Sequence, residues 1–157
     1  MNFQISGLRR DQFAPLFGLS DEELKRLGAM RVLAEPTATS RFPCRISLRD
    51  ASPGDPVLLV NFEHLPVASP YRSRYAVFVC ENALEAQLEV NEIPEVMLHR
   101  PLSLRAFDGD GMLIDADLAQ DGTLAPTIER LLGQARAQFV DAHNARHGCY
   151  VARIARA

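Results

Sequence analysis

Lysine is nearly absent from this 157-residue sequence, because Lys25 is the only one among its 17 basic residues. Any site that holds an anion must therefore use arginine, whose guanidinium group binds carboxylates and phosphates through two parallel hydrogen bonds. Acidic residues number 20, so the formal charge is −3. A chain with this balance has no long-range attraction for polyanions, which disfavours a dedicated role in binding nucleic acid or a membrane surface.

Long apolar runs and cysteine pairs are also missing. No stretch approaches the roughly 20 apolar residues that span a bilayer, and no charged start leads into an apolar run as in a secretory signal. The three cysteines, Cys44, Cys80 and Cys149, are odd in number and widely spaced. We therefore expect reduced thiols and a cytoplasmic protein.

Several motifs of well-known enzyme classes do not occur. The sequence has no glycine-rich phosphate loop, no G-x-S-x-G elbow and no H-E-x-x-H helix. Zinc sites usually supply ligands in close pairs, and the zinc candidates Cys44, His64, His143 and Cys149 form no such pair. We expect neither a metal nor another cofactor.

What is present predicts an α+β domain. The length suits a single domain over residues 1–157. The pattern S-D-E-E, from Ser20 to Glu23, predicts a capped helix that stops at Gly28, and a second helix is predicted over residues 123–134, with Thr123 or Pro126 near its start. A third, short helix is predicted over residues 81–89, ended by Asn91 and Pro94.

Strands account for most of the remaining sequence. Alternating or continuous apolar segments predict a mainly antiparallel sheet of seven or eight strands, which with two or three helices makes an α+β fold. These segments include MRVLAE, followed by a Thr/Ser-containing loop, FPCRISL, PVLLVNFEH, YAVFVC, and a hairpin formed by LSLRAF and GMLIDADL.

The segment HNARHGCYVARI, from His143 to Ile154, predicts a second hairpin with AQFVDAH. If NARHG is a five-residue loop, His143 and Cys149 oppose each other with Cβ atoms about 5 Å apart. Val140, Ala142, Tyr150, Ala152 and Ile154 then form the apolar face that lies against the core. His143, Cys149 and Arg153 face away from it.

Three interpretations of these polar residues remain open. Cys149 beside His143, with Asn144 orienting the imidazole, would suit a thiol enzyme. Alternatively these residues only form a turn, and the thiols pack as small apolar groups. In the third interpretation, arginines beside apolar strands bind an anion or pair with carboxylates such as Glu63, Glu81, Asp108 and Asp141.

Five motifs in order resemble a bacterial family catalogued as a domain of unknown function. They are FPCR (residues 42–45), SPYR (69–72), VFVCE (77–81), LSLRAFDGDGM (102–112) and HNARHGCYVARI (143–154). The family pattern often has Gly-Pro after SPYR, where this chain has Ser73 and Arg74 followed by Tyr75. The resemblance implies a small one-domain protein, no assigned activity, and the signature positions Cys44, Arg45, Tyr71, Arg72, Arg105, His143, Asn144 and Cys149.

We therefore expect a cleft that binds a small anionic molecule. Its predicted ligand-binding residues are Cys44, Arg45, Tyr71, Arg72 and Arg105, with Asn144 as an additional hydrogen bonder. The alternatives are a thiol-dependent enzyme that uses Cys149 with His143 and Asn144, or a homodimeric interaction module.

Overall fold

The computed structural model describes residues 1–37, 41–120 and 122–157. The Thr/Ser-containing loop predicted after MRVLAE includes residues 38–40, which lie outside this range. The strands are β1 (Phe3–Ser6), β2 (Met30–Leu33), β3 (Pro43–Cys44), β4 (Arg49–Asp50), β5 (Pro56–Leu65), β6 (Ser73–Val79), β7 (Leu102–Phe107), β8 (Leu113–Ala119), β9 (Phe139–Asn144) and β10 (Tyr150–Arg156). The helices are α1 (Asp21–Arg26), α2 (Glu95–Leu98) and α3 (Leu124–Leu132), with 3-10 turns at Arg10–Gln12 and Ala14–Leu16.

The strands form two five-stranded sheets. The first has the order β1-β10-β9-β7-β8 and is antiparallel throughout. The second has the order β2-β5-β6-β3-β4 and is antiparallel except where β3 runs parallel to β6. The α+β class is confirmed, but the expected seven or eight strands in one sheet was wrong, since the described residues form ten strands in two sheets. Strands as short as β3 and β4 are too brief to produce an alternating pattern in the sequence.

Helix α1 begins and ends as its sequence predicts. The Ser20 Oγ accepts the Glu23 backbone N–H at 3.3 Å, and the Glu23 carboxylate accepts the Ser20 backbone N–H at 2.8 Å. Gly28, just past the last turn, has a φ of 72°, a conformation that favours glycine. These local hydrogen bonds fix both ends of the helix without help from the rest of the fold.

Helix α3 covers one face of the first sheet. Its residues Leu124, Ile128, Leu131 and Leu132 are buried at the three- and four-residue spacing of one helical face. They pack against the inward-facing side chains of β7, β9 and β10, which include Leu104, Ala106, Val140, Ala142, Ala152 and Ile154. The opposite face of this sheet carries mostly polar side chains, including several of the predicted site residues.

The segment FPCRISL does not form the expected strand. Only Pro43 and Cys44 lie in β3, and the chain then turns so that the Leu48 N–H donates to the Cys44 carbonyl at 2.9 Å. Leu48 adopts a φ of 53°, and Ile46 and Leu48 are both buried. The alternation therefore comes from a buried turn, which presents apolar side chains to two cores instead of one sheet face.

The helix predicted over residues 81–89 is also absent from the structure. This segment is irregular, and its backbone bonds to distant parts of the chain: the Ala86 N–H donates to the Ile46 carbonyl at 3.0 Å, and Leu88 accepts the Gln4 side chain at 2.9 Å. Tertiary hydrogen bonds override its helical propensity. Pro94, expected to terminate a helix, instead stands at the N-cap of α2.

Gly7 lies where two backbone segments approach closely, and this yields a prediction. A Cβ at this position would lie 2.6 Å from the Ile46 carbonyl oxygen and 2.7 Å from the Arg45 carbonyl oxygen. Backbone atoms cannot move aside as a flexible side chain can, so we expect Gly7→Ala to lower the free energy of unfolding by about 2–3 kcal/mol.

Urea denaturation would measure this loss. Gly109→Ala is the matched control, because its added Cβ would meet only the Gln138 Cγ at 3.7 Å. Equal stability of the two variants would contradict the close approach at Gly7.

Candidate functional site

The terminal hairpin has a different register from the predicted one. Tyr150, not Cys149, is the partner of His143, and Arg153 pairs with Asp141. The pairing shifts at a bulge between Tyr150 and Ala152, so Val151 is the extra residue. The register prediction that opposed His143 to Cys149 was therefore wrong. Tyr150 lies on the same face as His143, opposite the face that α3 covers, and is buried there in the second hydrophobic core.

The loop of this hairpin explains the shift. The Asn144 side-chain oxygen accepts the backbone N–H groups of Arg146 and His147 at 2.9 and 3.1 Å. Gly148 has a φ of 77°, and its N–H donates to the Asn144 carbonyl at 2.8 Å. The Asn144 amide oxygen thus holds the turn. Among the described residues it binds backbone groups of the loop and not the His143 ring.

His143 belongs to a polar cluster between the two sheets. Its ring centroid lies 5.0 Å from that of His64 on β5 and 5.9 Å from that of Tyr150, and His64 also stacks on Tyr150 at 5.1 Å. The His143 Nδ1 is 3.0 Å from the Gly148 carbonyl, which can only accept, so Nδ1 carries the proton. Within the described residues, the buried His64 Nδ1 has no hydrogen-bond partner.

Both histidines are neutral at physiological pH. Burial, aided by the positive charges of Arg105 and Arg153, lowers the pKa of His64 to about 4. Burial and the charge of Arg105 lower the pKa of His143 to about 3. Burial also raises the pKa of the Tyr150 phenol, so this group is neutral as well.

Charged side chains surround these rings. Arg153 donates two hydrogen bonds to the fully buried Asp141, at 2.8 and 2.9 Å, and its guanidinium lies 3.9 Å from the centre of the Phe139 ring. Arg105 is half-buried and donates to the Ser103 hydroxyl at 3.3 Å. Burial raises the pKa of Asp141 while Arg153 opposes that shift. The expected carboxylate pairing is thus found for Arg153.

Cys149 faces a different environment, beside the buried guanidinium of Arg45. The Arg45 Nη2 donates to the Cys149 Sγ at 3.1 Å, Nε donates to the Tyr150 carbonyl at 2.7 Å, and Nη1 donates to the Pro43 carbonyl. Only 2% of Arg45 is exposed, and it has no carboxylate partner among the described residues. Burial lowers the pKa of Arg45, and the adjacent Cys149 opposes that shift.

A cleft of about 800 Å³ opens at this point. The second sheet, α2 and the hairpin loop supply its walls. Four arginines and two carboxylates line it, together with Asn144, His147 and Cys149. The lining charged residues are Arg41, Arg45, Asp50, Glu95, Arg100 and Arg146.

The charges of the cleft do not cancel. Arg100 pairs with Asp50 at 3.1 Å, and the nearest basic partner of Glu95 is His99 at 3.8 Å. Arg45 and Arg146 are left without a carboxylate partner in the part of the chain that the structure describes. Arg41, Arg100 and Arg146 were not among the predicted site residues, although Arg146 lies within the HNARHG stretch, because sequence spacing gives no sign that these arginines converge.

Four of the five predicted ligand residues lie outside this cleft: Cys44, described below, and Tyr71, Arg72 and Arg105. Arg72 forms a surface ion pair with Glu63 at 2.6 Å, as the carboxylate interpretation expected. Tyr71 is exposed, with its ring centroid 6.2 Å from that of Phe107. Arg105 belongs to the histidine cluster. The structure therefore brings Arg45, Asn144 and Cys149 together at the cleft and places Tyr71, Arg72, Arg105 and His143 elsewhere.

Cys44 is buried beside Cys80. The Cys80 backbone N–H donates to the Cys44 Sγ at 3.2 Å. A hydrogen bond from the Cys80 thiol, with others from Ser47, lowers the pKa of Cys44, and the same contact raises the pKa of Cys80. Cys44 is 1% exposed, so it supports Arg45 from within the core and does not line the cleft.

Two features, a metal-binding cluster and a membrane-spanning helix, are absent from the described residues. No three His, Cys, Asp or Glu side chains form a group suited to hold a metal ion. No helix has the length and apolar character required to cross a membrane.

Comparison with known proteins places the chain in a family. The model of the family described as "Protein of unknown function (DUF1203)" matches residues 41–156. The chain belongs to this family, and the resemblance drawn from its motifs is confirmed at that level. The matched range contains Arg45, the hairpin loop and Cys149. No curated protein and no solved structure matches the chain.

Proposed function

We propose that this protein binds a small anionic molecule in the cleft beside Arg45. The volume of about 800 Å³ lies within the range of small-molecule sites. Carboxylate or phosphate groups are the ligand chemistry that guanidinium groups bind best. The net charge of −3 disfavours an extended polyanion as the ligand.

One observation carries the proposal: Arg45 is a buried cation without a carboxylate partner. A buried guanidinium that lacks a counter-charge is costly. Of its five N–H donors, three bind the Tyr150 carbonyl, the Pro43 carbonyl and the Cys149 sulfur. The other two are available to an anion in the cleft, which would supply the missing charge.

Arg146 supplies a second contact that a ligand can use. Its side chain is exposed on the hairpin loop, and the turn held by Asn144 fixes its backbone. Arg41 stands at another wall of the same cleft. These two arginines recruit the anion from solution, while Arg45 defines its innermost position.

Cytoplasmic location is part of this proposal. All three cysteines are free thiols, the state that a reducing compartment maintains. The bacterial source implied by the motif resemblance and the homodimer considered from the sequence likewise stay predictions.

The test is anion binding at constant ionic strength. Phosphate, citrate and a dicarboxylate such as succinate would each be compared with sodium chloride by dye-based thermal unfolding, and the best of them titrated by calorimetry. Arg146→Gln and Arg41→Gln should each weaken binding about fivefold, roughly the free energy of one partly solvated charge contact.

Arg26→Gln is the matched control, since Arg26 is exposed on α1, pairs with Glu22 and lies outside the cleft. Its affinity should equal that of the wild type. Arg45 itself is left intact, because it holds the two sheets together through the Tyr150 and Pro43 carbonyls. An absence of anion-specific stabilisation, or unchanged affinity in Arg146→Gln, would contradict the proposal.

A further inference from the structure

We infer that Cys149 is a nucleophilic thiol that exchanges with small disulfides bearing carboxylate groups. This inference rests on the proposed function, because it takes the arginine-lined cleft as the site that attracts the carboxylates. It adds the reacting atom and the chemical class of the substrate.

Two independent observations support it. Cys149 lines the cleft and is partly exposed, so a small molecule in the cleft lies beside it. The Arg45 Nη2 lies 3.1 Å from that sulfur, and Arg45 is a cation 2% exposed with no carboxylate partner among the described residues. The guanidinium N–H donates to that sulfur, and a thiolate sulfur is the form that attacks a disulfide.

The surroundings of Cys149 favour disulfide exchange over hydrolysis. Hydrolysis by a thiol enzyme needs an imidazole close to the sulfur to move protons. The register instead pairs His143 with Tyr150, and the His143 Nδ1 binds the Gly148 carbonyl. The His147 ring also lines the cleft but makes no hydrogen bond to the Cys149 sulfur among the described residues. Thiol–disulfide exchange needs only a thiolate, an accessible disulfide and a leaving thiolate.

The step balances without any further oxidant. The Cys149 thiolate forms a bond to one sulfur of the incoming disulfide while the original S–S bond breaks. The second half leaves as a thiolate and takes a proton from solvent. Cys149 then carries a mixed disulfide whose carboxylates lie among the cleft arginines, and a second small thiol restores the free cysteine by the reverse reaction.

The other two cysteines serve as internal references. Cys44 is 1% exposed, and Cys80 is partly exposed but does not line the cleft. Selective reaction at Cys149 would therefore reflect the cleft and not exposure alone.

The experiment compares disulfides of different charge: the dianionic aromatic DTNB, neutral dithiodipyridine and cationic cystamine. Rates with each would be divided by the rate for mercaptoethanol, and peptide mass spectrometry would identify the modified cysteine. We expect Cys149 to react first and to prefer DTNB over cystamine about tenfold more than mercaptoethanol does. Raising the salt concentration from about 0.05 M to about 1 M should remove most of this preference.

Three variants test whether the cleft and Cys149 cause this preference. Arg146→Gln should reduce the preference for DTNB about threefold, whereas Arg26→Gln should leave it unchanged. Cys149→Ser should abolish the fast reaction. First modification at Cys80, or the same charge preference as mercaptoethanol, would overturn the inference.

The exchange proposal can fail while anion binding stands, because Cys149→Ser keeps all the arginines. If this variant binds anions while the wild-type thiol shows no preference, the exchange proposal falls and anion binding stands. The second outcome is that anions bind neither protein while Cys149 still reacts selectively with DTNB. Both proposals are then wrong, because the exchange proposal requires the cleft to hold the carboxylates.

Discussion

Arg153→Met is expected to lower the free energy of unfolding by about 3–5 kcal/mol. Asp141 is fully buried, and the only ion pair recorded for it in the described residues is the one with Arg153. Removing the guanidinium leaves a carboxylate that water cannot solvate, and breaking a buried pair from one side costs about this much. The stacking of Arg153 on Phe139 is lost as well.

Chemical denaturation at pH 7 would measure the effect. The matched control is Arg130→Met, because Arg130 is half-exposed and pairs with the partly exposed Asp115 and Asp117. Surface pairs contribute about 0–1 kcal/mol, so this variant should remain close to the wild type.

A double variant tests the physical reason. Asp141→Leu with Arg153→Met removes both charges, so no uncompensated carboxylate remains and most of the stability should return. If the double variant is as unstable as Arg153→Met, lost packing and not the stranded carboxylate is the cause.

Lowering the pH from 7 to 5 is expected to destabilise the protein by about 4 kcal/mol, about 2 kcal/mol for each of two histidines. The pKa is about 4 for His64 and about 3 for His143 in the fold, against about 6.5 in the unfolded chain. Between these values the unfolded chain binds more protons than the native state. Stability is therefore fully present above pH 6.5 and is lost as the pH falls through the window towards 4 and 3.

The groups that face the two rings set the sign of this effect. Arg105, Arg153 and Arg45 oppose protonation of the histidines. Burial raises the pKa of Asp141, whose contribution therefore has the opposite sign and grows as the pH falls. Carboxylates with a lowered pKa, such as Asp108, lose their contribution only below the ordinary carboxyl range, so the measurement stops at pH 5.

Urea unfolding at several pH values would test this prediction. The double variant His64→Phe with His143→Gln should flatten the curve, because phenylalanine keeps the stack on Tyr150 and glutamine can still donate to the Gly148 carbonyl. His99→Gln is the control, since the His99 side chain is 69% exposed. An equally steep curve in the double variant would show that other groups cause the loss.

The sequence predicted the local elements best where a few neighbouring residues decide them. The Ser20–Glu23 capping box and Gly28 fixed α1, and Thr123 and Gly133 flank α3 as predicted. The strands that form β2, β5, β6 and the β7–β8 hairpin were predicted from apolar runs and turn residues. The helix prediction failed for residues 81–89, because the backbone there forms hydrogen bonds with Ile46 and Gln4, which are distant in the chain.

The candidate site was predicted only in part. Arg45, Asn144 and Cys149 were singled out and share the cleft, whereas Arg72 and Arg105 do not line it. The hairpin loop decided where His143 lies: the Asn144 N–H donates to the Cys149 carbonyl at 2.9 Å, so His143 pairs with Tyr150 and not with Cys149. The extra residue Val151 then places Tyr150 and Ala152 on opposite faces of the sheet. A one-residue bulge exchanges the faces of a strand, and nothing in the apolar pattern marks its position.

By itself, the sequence determined the α+β class, the capped helix α1 and the helix α3, the reliance on arginine for holding anions and the family to which the chain belongs. Only the tertiary structure decided that Arg45 is a buried cation without a carboxylate and that Cys149 is its neighbour. The reason is that helix caps and apolar periodicity are properties of adjacent residues, whereas the balance of a buried charge depends on every segment that the fold brings around it.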